Sequence, residues 1–288
     1  MLAGIGITAG VCLGAVAATA AYVHHRDQAR MRAVWTGIEA LRDDDPPAYD
    51  PAMVAGLPAV AQRYFARAIA PGTPLHRIVR LTMEGRFIMN GNGMPMAARQ
   101  ILAPPATGFV WQARIGAGLM RFAGSDGYRR RDGAEESWTK FWLHGLIPLA
   151  RIGGTSDHAR AAATRAMLES VWVPAALLPQ YGAEWRETGP DSAEVRFADA
   201  PDLPPMHLTF DAAGDLAEIW APRWTDANPE KTYRWQPFGG RMIETGVVAG
   251  FRIPTRVELA NLWGTPDAAP FFLARITDAV FGPDGPWP

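Results

Sequence analysis

Glu169 stands three residues before Trp172, a spacing that puts a carboxyl group and an indole on one face of a helix. Buried beside aromatic rings, such a carboxyl keeps its proton to higher pH and can donate a hydrogen bond to a polar head; on a solvated face it does neither. The sequence leaves both readings open. Glu184, Asp126 and Tyr128 also carry reactive groups, and no recognised catalytic spacing joins them to Glu169. Ser156-Asp157-His158 contains the three side chains of a catalytic triad, yet chain neighbours point in different directions and no Gly-x-Ser-x-Gly elbow accompanies them. The stretch reads as a helix start. His24-His25 closes an apolar segment and Asp43-Asp44-Asp45 precedes a proline pair; they read as an interfacial pair and a solvated linker. Gly91-Asn92-Gly93 and Gly116-Ala117-Gly118 lack the third glycine and the following helix of a dinucleotide cradle. No catalytic residue, metal or cofactor is expected.

The chain is rich instead in apolar rings, with eleven tryptophans. Rings of this size fill the core of a large curved sheet. Around a half-open sheet they can also wall a cleft for an apolar ligand such as an acyl chain. On that second reading the cleft is lined by Phe87, Trp111, Phe122, Trp142, Glu169, Trp172, Leu178, Trp220 and Trp235.

The elements that must carry these residues follow from periodicity. Val79, Leu81, Met83, Gly85 and Phe87 alternate with Arg80, Thr82, Glu84 and Arg86, which predicts a strand with one buried face in an antiparallel sheet. Asn90-Gly91 tolerates positive φ and predicts a hairpin returning through Met96 to Leu102. Further strands are expected at 109–115, 120–123, 138–142, 193–197, 206–210, 216–220 and 251–259, with a turn at Ser125-Asp126-Gly127 and a hairpin joining 233–238 to 241–248. A short aromatic tail holds Phe271 and Phe272. Helices are expected from Asp50-Pro51 to about residue 70, and from Ser156 or Asp157 to Trp172, where Val173-Pro174 stops the second. About nine short strands with one internal helix do not fit alternating βαβ units. The predicted fold is mainly β (α+β): a curved antiparallel half-barrel around a central helix, preceded by a transmembrane helix.

Residues 1–23 carry no charged side chain, and at about 1.5 Å per residue such a helix reaches across a hydrocarbon core of about 30 Å. They are read as a transmembrane anchor, 24–49 as a juxtamembrane helix and linker, and 50–288 as one half-barrel domain. Ala18-Thr19-Ala20 keeps a cleaved signal peptide open as an alternative. Gly6, Gly10 and Gly14 recur every four residues and offer a possible homodimer face. Past the span, Met31, Val34, Trp35, Ile38 and Leu41 form one apolar stripe. A net charge of −1 supplies no positive field for nucleic acid. The single cysteine, Cys12, excludes an intrachain disulfide.

Several stretches together resemble a bacterial family known only as a domain of unknown function. They are Leu57-Pro58 with Arg63-Tyr64-Phe65; Gly108-Phe109-Val110-Trp111; Asp126-Gly127-Tyr128; Glu169 with Trp172, Pro174 and Ala176-Leu177-Leu178-Pro179; Glu184-Trp185; and Gly250-Phe251-Arg252-Ile253-Pro254-Thr255 with Glu258. In strand order the chain is similar to the half-barrel of periplasmic lipoprotein carriers, which wraps helices around an acyl-chain cavity. That likeness implies a membrane lipid or acyl chain as partner and a periplasmic domain. Arg26, Arg30 and Arg32 after the span argue for the cytoplasm instead. The expectation is a single-pass protein of the bacterial inner membrane, its domain placed in the periplasm with the cytoplasm open, binding an apolar ligand without catalysis. A structural or partner-binding envelope protein, and an enzyme built on Glu169, are the alternatives.

Overall fold

Arg80 and Leu81 go to opposite faces of one strand, and the two faces are covered by different helices. The computed structural model describes residues 2–105 and 107–282, with side chains from residue 14 onward. Among these residues are three α-helices, α1 (Leu2–Glu39), α2 (Ala59–Ala68) and α3 (Ser156–Leu168). The first seven strands are β1 (Val79–Met89), β2 (Asn92–Ala103), β3 (Gly108–Ile115), β4 (Phe122–Arg131), β5 (Ala134–Leu143), β6 (Ile147–Gly153) and β7 (Ala183–Gly189). Six more follow: β8 (Ser192–Phe197), β9 (Met206–Phe210), β10 (Leu216–Thr225), β11 (Arg234–Val248), β12 (Phe251–Asn261) and β13 (Ala269–Phe281).

All thirteen strands form one open sheet in the order β6-β5-β4-β3-β2-β1-β13-β12-β11-β10-β9-β8-β7. Every neighbouring pair is antiparallel, and β13 closes on β1 from Val79↔Phe281 to Phe87↔Phe272. The chain therefore starts at the centre, steps outward to the β6 edge, crosses to the β7 edge and steps back. Residues 154–182 make that crossing, so α3 and the elbow after it lie over the concave face because the topology leaves them no other route.

The main core lies on this concave side, where α2, α3 and the elbow pack on Val79, Leu81, Met83, Phe109, Phe251 and their neighbours. On the convex side, Met31, Val34, Trp35 and Ile38 of α1 pack on Ile78, Ile101, Ala103, Val110 and Trp138. Arg80 reaches Glu39 of α1 at 3.0 Å, and Asp27 accepts from Trp142 Nε1 (3.2 Å) and Lys140 Nζ (2.9 Å) and pairs with Arg151. The apolar stripe is thus a docking face, apart from Leu41, which lies past the helix end and is exposed.

The single-pass inner-membrane placement is corrected, since among the described residues no helix is long and apolar enough to cross a membrane. The uncharged stretch of α1 runs as far as Val23. Beyond it α1 carries Arg26, Asp27, Arg30 and Arg32 and lies against the sheet. Gly6, Gly10 and Cys12 have surroundings outside the described residues; Gly14 meets nothing within 4 Å.

Several elements differ from expectation for identifiable reasons. Ser125-Asp126-Gly127 lies inside β4; Gly127 is needed because a Cβ there would strike the Trp138 ring, and the turn is made by Asp132-Gly133, both at positive φ. Gly239-Gly240 likewise does not turn the chain. It sits within the continuous β11, where side chains would collide with the backbones of β10 and β12. The helix expected from residue 50 is split into a single turn at Pro51–Val54 and α2, with Pro58 between them. The aromatic tail is β13, a central strand.

Candidate functional site

Between α3 and the concave face lies a cavity of about 350 Å³. Phe87 and Met89 of β1, Trp111 and Ile115 of β3, Phe122 of β4 and Phe141 of β5 form one wall. Ile219 of β10, Phe238 and Met242 of β11, Val257 and Leu259 of β12 and Phe271 and Phe272 of β13 form the other, and Leu168, Val171 and Trp172 cover it. The rings touch: Trp111 is 6.1 Å from Phe141 and 6.2 Å from Phe272, and Phe87 meets Phe271 edge-on at 6.0 Å. Met89 and Leu149 are the strongly exposed members of the lining and mark its mouth, beside Leu146, Ile147 and Ile152 on the open edge of the sheet.

Five polar side chains interrupt the apolar lining: Asp126, Thr139, Arg165, Glu169 and Arg223. Arg165 on α3 donates through Nε to Glu169 Oε1 at 2.7 Å and through Nη1 to Asp126 Oδ2. Gln100 of β2 donates to the other Glu169 oxygen at 2.6 Å, and Thr139 of β5 to the other Asp126 oxygen at 2.6 Å. Burial pushes Glu169 above the usual carboxylate range, against the pull of Arg165 and Gln100. The two carboxylates in turn hold Arg165 charged despite its burial. Its guanidinium lies over the faces of Phe109 at 4.4 Å and Trp111 at 5.4 Å, a cation–π seat.

Next to this group, Thr139 Oγ1 is 3.1 Å from His158 Nε2, and His158 Nδ1 is 2.8 Å from Ser137 Oγ. A hydroxyl that donates to Asp126 must accept from His158, so the network assigns the ring proton to Nε2 and leaves Nδ1 to accept from Ser137. Burial holds His158 below the ordinary imidazole value, consistent with that neutral ring. Ser137 is buried and does not line the cavity, so this Ser–His pair braces the start of α3 on β5 rather than facing a substrate.

Of the residues expected at a cleft, the structure brings together Phe87, Trp111, Phe122, Glu169 and Trp172 around the cavity. Trp172 is 3 % exposed and donates to the Pro254 carbonyl at 3.0 Å. Four others lie elsewhere. Trp142 is on the convex face with His24 and Asp27; Trp220 stacks on His207 at 4.0 Å; Trp235 is exposed against Trp224; Leu178 is buried in the elbow. Strand parity separates Trp142 from Phe141 and Trp220 from Ile219, and in each pair the neighbour is the wall residue. Sequence reasoning missed Arg165, Arg223 and the aromatic pair Phe271-Phe272. Arg165 stands four residues before Glu169, a helical ion-pair spacing that was available to find it.

No curated protein matches the sequence. A DUF1329 family protein from Desulfovibrio piger matches in structure with a TM-score of 0.43 at 7% identity, covering 72% of this chain and 86% of that one. A LolA superfamily protein from Nitrosomonas europaea matches with a TM-score of 0.38 at 9% identity, covering 79% of this chain and 94% of that one. Residues 47–273 match a family profile that takes in both walls of the cavity, α3 and the elbow, and the chain belongs to that family, a family of unknown function (DUF6544).

Proposed function

We propose that this protein binds an apolar ligand, a single acyl chain, in the cavity under α3 and performs no reaction on it. The observation that carries this reading is the lining: aromatic and aliphatic side chains from both halves of the sheet face one space of about 350 Å³, within the size range of small-ligand sites. The carboxylates that could serve catalysis are engaged on both oxygens, Glu169 by Arg165 and Gln100, Asp126 by Arg165 and Thr139. The exposed apolar edge at Leu146, Ile147, Leu149 and Ile152 gives an acyl chain an apolar approach to the mouth. Calorimetric titration of the full chain, stripped of lipid, with straight-chain alcohols from octanol to hexadecanol tests the proposal. One saturable site with a negative heat-capacity change is expected, since that change reports apolar surface leaving water. Absence of saturable binding across the series refutes it.

A further inference from the structure

Four charged groups line the cavity, and they do not pair evenly. Arg165 takes both carboxylates, so the acceptors of Asp126 and Glu169 are used by Arg165, Thr139 and Gln100. Arg223 of β10 has no carboxylate within ion-pair distance among the described residues. Its Nε donates to the Ala161 carbonyl of α3 at 3.1 Å, and its guanidinium lies 4.6 Å over the Phe238 ring. These contacts leave both Nη groups, on a side chain that lines the cavity, without a hydrogen-bond partner among the described residues. The apolar space is therefore lined by unused donors on Arg223, while every carboxylate oxygen that borders it already accepts a hydrogen bond.

Resting on the acyl-chain reading above, we propose that the ligand is an anionic amphiphile, an acyl chain ending in a carboxylate or phosphate, with its head held by Arg223. A planar fork with paired donors matches such a head in two-point geometry, which a neutral alcohol cannot reproduce. Burial and the neighbouring Arg165 lower Arg223 to about 10, so it is still charged at neutral pH. In a low-dielectric site that charge favours an incoming anion strongly and penalises a cationic head.

The test is calorimetry on the lipid-free full chain with four probes of equal chain length: dodecanoate, dodecyl phosphate, dodecanol and dodecyltrimethylammonium. One or both anions are expected to bind about ten- to a hundredfold more tightly than dodecanol, the range of a charge-assisted hydrogen bond, and the cation more weakly than dodecanol. The two anionic arms separate a fatty-acid source from a phosphate headgroup. Arg223→Met is expected to lose the preference for anions over dodecanol, both affinities being measured on that variant. Dodecanol binding with no anion preference in the wild type, or a preference that survives in Arg223→Met, overturns this proposal and leaves the cavity reading standing. No binding by any probe overturns the cavity reading itself. Should Arg223→Met lose cooperative unfolding, the wild type alone decides through the ¹³C carboxyl resonance of bound, labelled dodecanoate. With Arg223 as its partner, the carboxyl carbon is expected to show through-space contacts to the Arg223 guanidinium protons; contacts to other wall residues alone refute the pairing.

Discussion

Replacing Arg165 by Met leaves the carboxylates of Asp126 and Glu169 under α3 without their shared counter-ion. The side chains of Arg165, Asp126 and Glu169 are 17%, 20% and 8% exposed, so water replaces little of what is removed. Removing one partner of a buried pair costs about 3–5 kcal/mol, and the cation–π contacts with Phe109 and Trp111 are lost as well. Methionine restores part of the apolar volume, so the deficit is expected near the lower end, about 3 kcal/mol. Its pH dependence carries the sign. Glu169 already lies above its ordinary value of 4.5 in the folded chain, and without Arg165 burial acts on it with less opposition. In the window between 4.5 and the raised folded value, the folded state binds more protons than the unfolded state, so stability falls as pH rises. The deficit of Arg165→Met is therefore smaller at pH 5 than at pH 8. Urea unfolding followed by tryptophan fluorescence measures both, with unchanged slopes confirming a change in stability alone. Adding Glu169→Gln and Asp126→Asn is expected to recover most of the loss, because the buried charge goes with its partner. A deficit under about 1 kcal/mol, or one that ignores pH, would refute the view that Arg165 neutralises this site.

Trp172→Ala should lower stability by about 3–5 kcal/mol, since the ring is fully enclosed and also donates to Pro254; thermal unfolding checks it, and a loss under about 1 kcal/mol would show that the ring is not part of the core. His158, held below 6.5 by burial, contributes stability above that pH that is lost as pH falls toward its depressed folded value. Hence His158→Gln should flatten part of the fall in melting temperature from pH 7.5 to 5, and an unchanged fall counts against it. Asp27→Asn removes the negative charge and one of the two acceptor oxygens that hold Trp142, Lys140 and Arg151 to α1, for a loss of about 1.5–3 kcal/mol. Limited proteolysis should then cut α1 faster while dodecanol binding stays the same, because this contact lies on the face of the sheet away from the cavity.

The alternation in β1, β2 and β3 was legible because one face of each strand meets the core and the other carries charges or α1. The helix across the concave face was legible for a similar reason in its start at Ser156; it ends at Leu168, short of the expected Trp172, and a tighter 3-10 turn carries the chain from Glu169 to Val173-Pro174. What misled was glycine. Asp126-Gly127 and Gly239-Gly240 have turn composition, yet each lies mid-strand, where the missing Cβ admits Trp138 in one case and adjacent backbone in the other. Steric need across a sheet has no local signature, so these glycines cannot be told from turn glycines by sequence alone. β6 and β7 escaped because edge strands carry little hydrophobic alternation: Ile147 and Leu149 are exposed, and β7 has a mostly solvated pattern. β13 was hidden by its pairing, since its partners β1 and β12 lie far from it in sequence or across a turn.

The division of the aromatic side chains follows from the same geometry. In β5, Trp138, Lys140 and Trp142 face α1, while Thr139 and Phe141 face α3; in β4, Asp126 and Tyr128 face α3, while Ser125 accepts from Trp138 on the other side. A tryptophan count cannot rank such residues, because a shift of one position exchanges core, convex seam and cavity wall. The polar groups are more informative, because each one ties α3 or its elbow to a different strand. His158 reaches β5, Arg165 reaches β4, Glu169 reaches β2, Arg223 of β10 reaches the Ala161 carbonyl, and Trp172 reaches β12. The crossover is therefore pinned to both halves of the sheet, and the cavity between them has walls fixed by these contacts. On the acyl-chain reading proposed above, such a preformed apolar space avoids the cost of ordering its walls, and selectivity falls to the donors still free at Arg223.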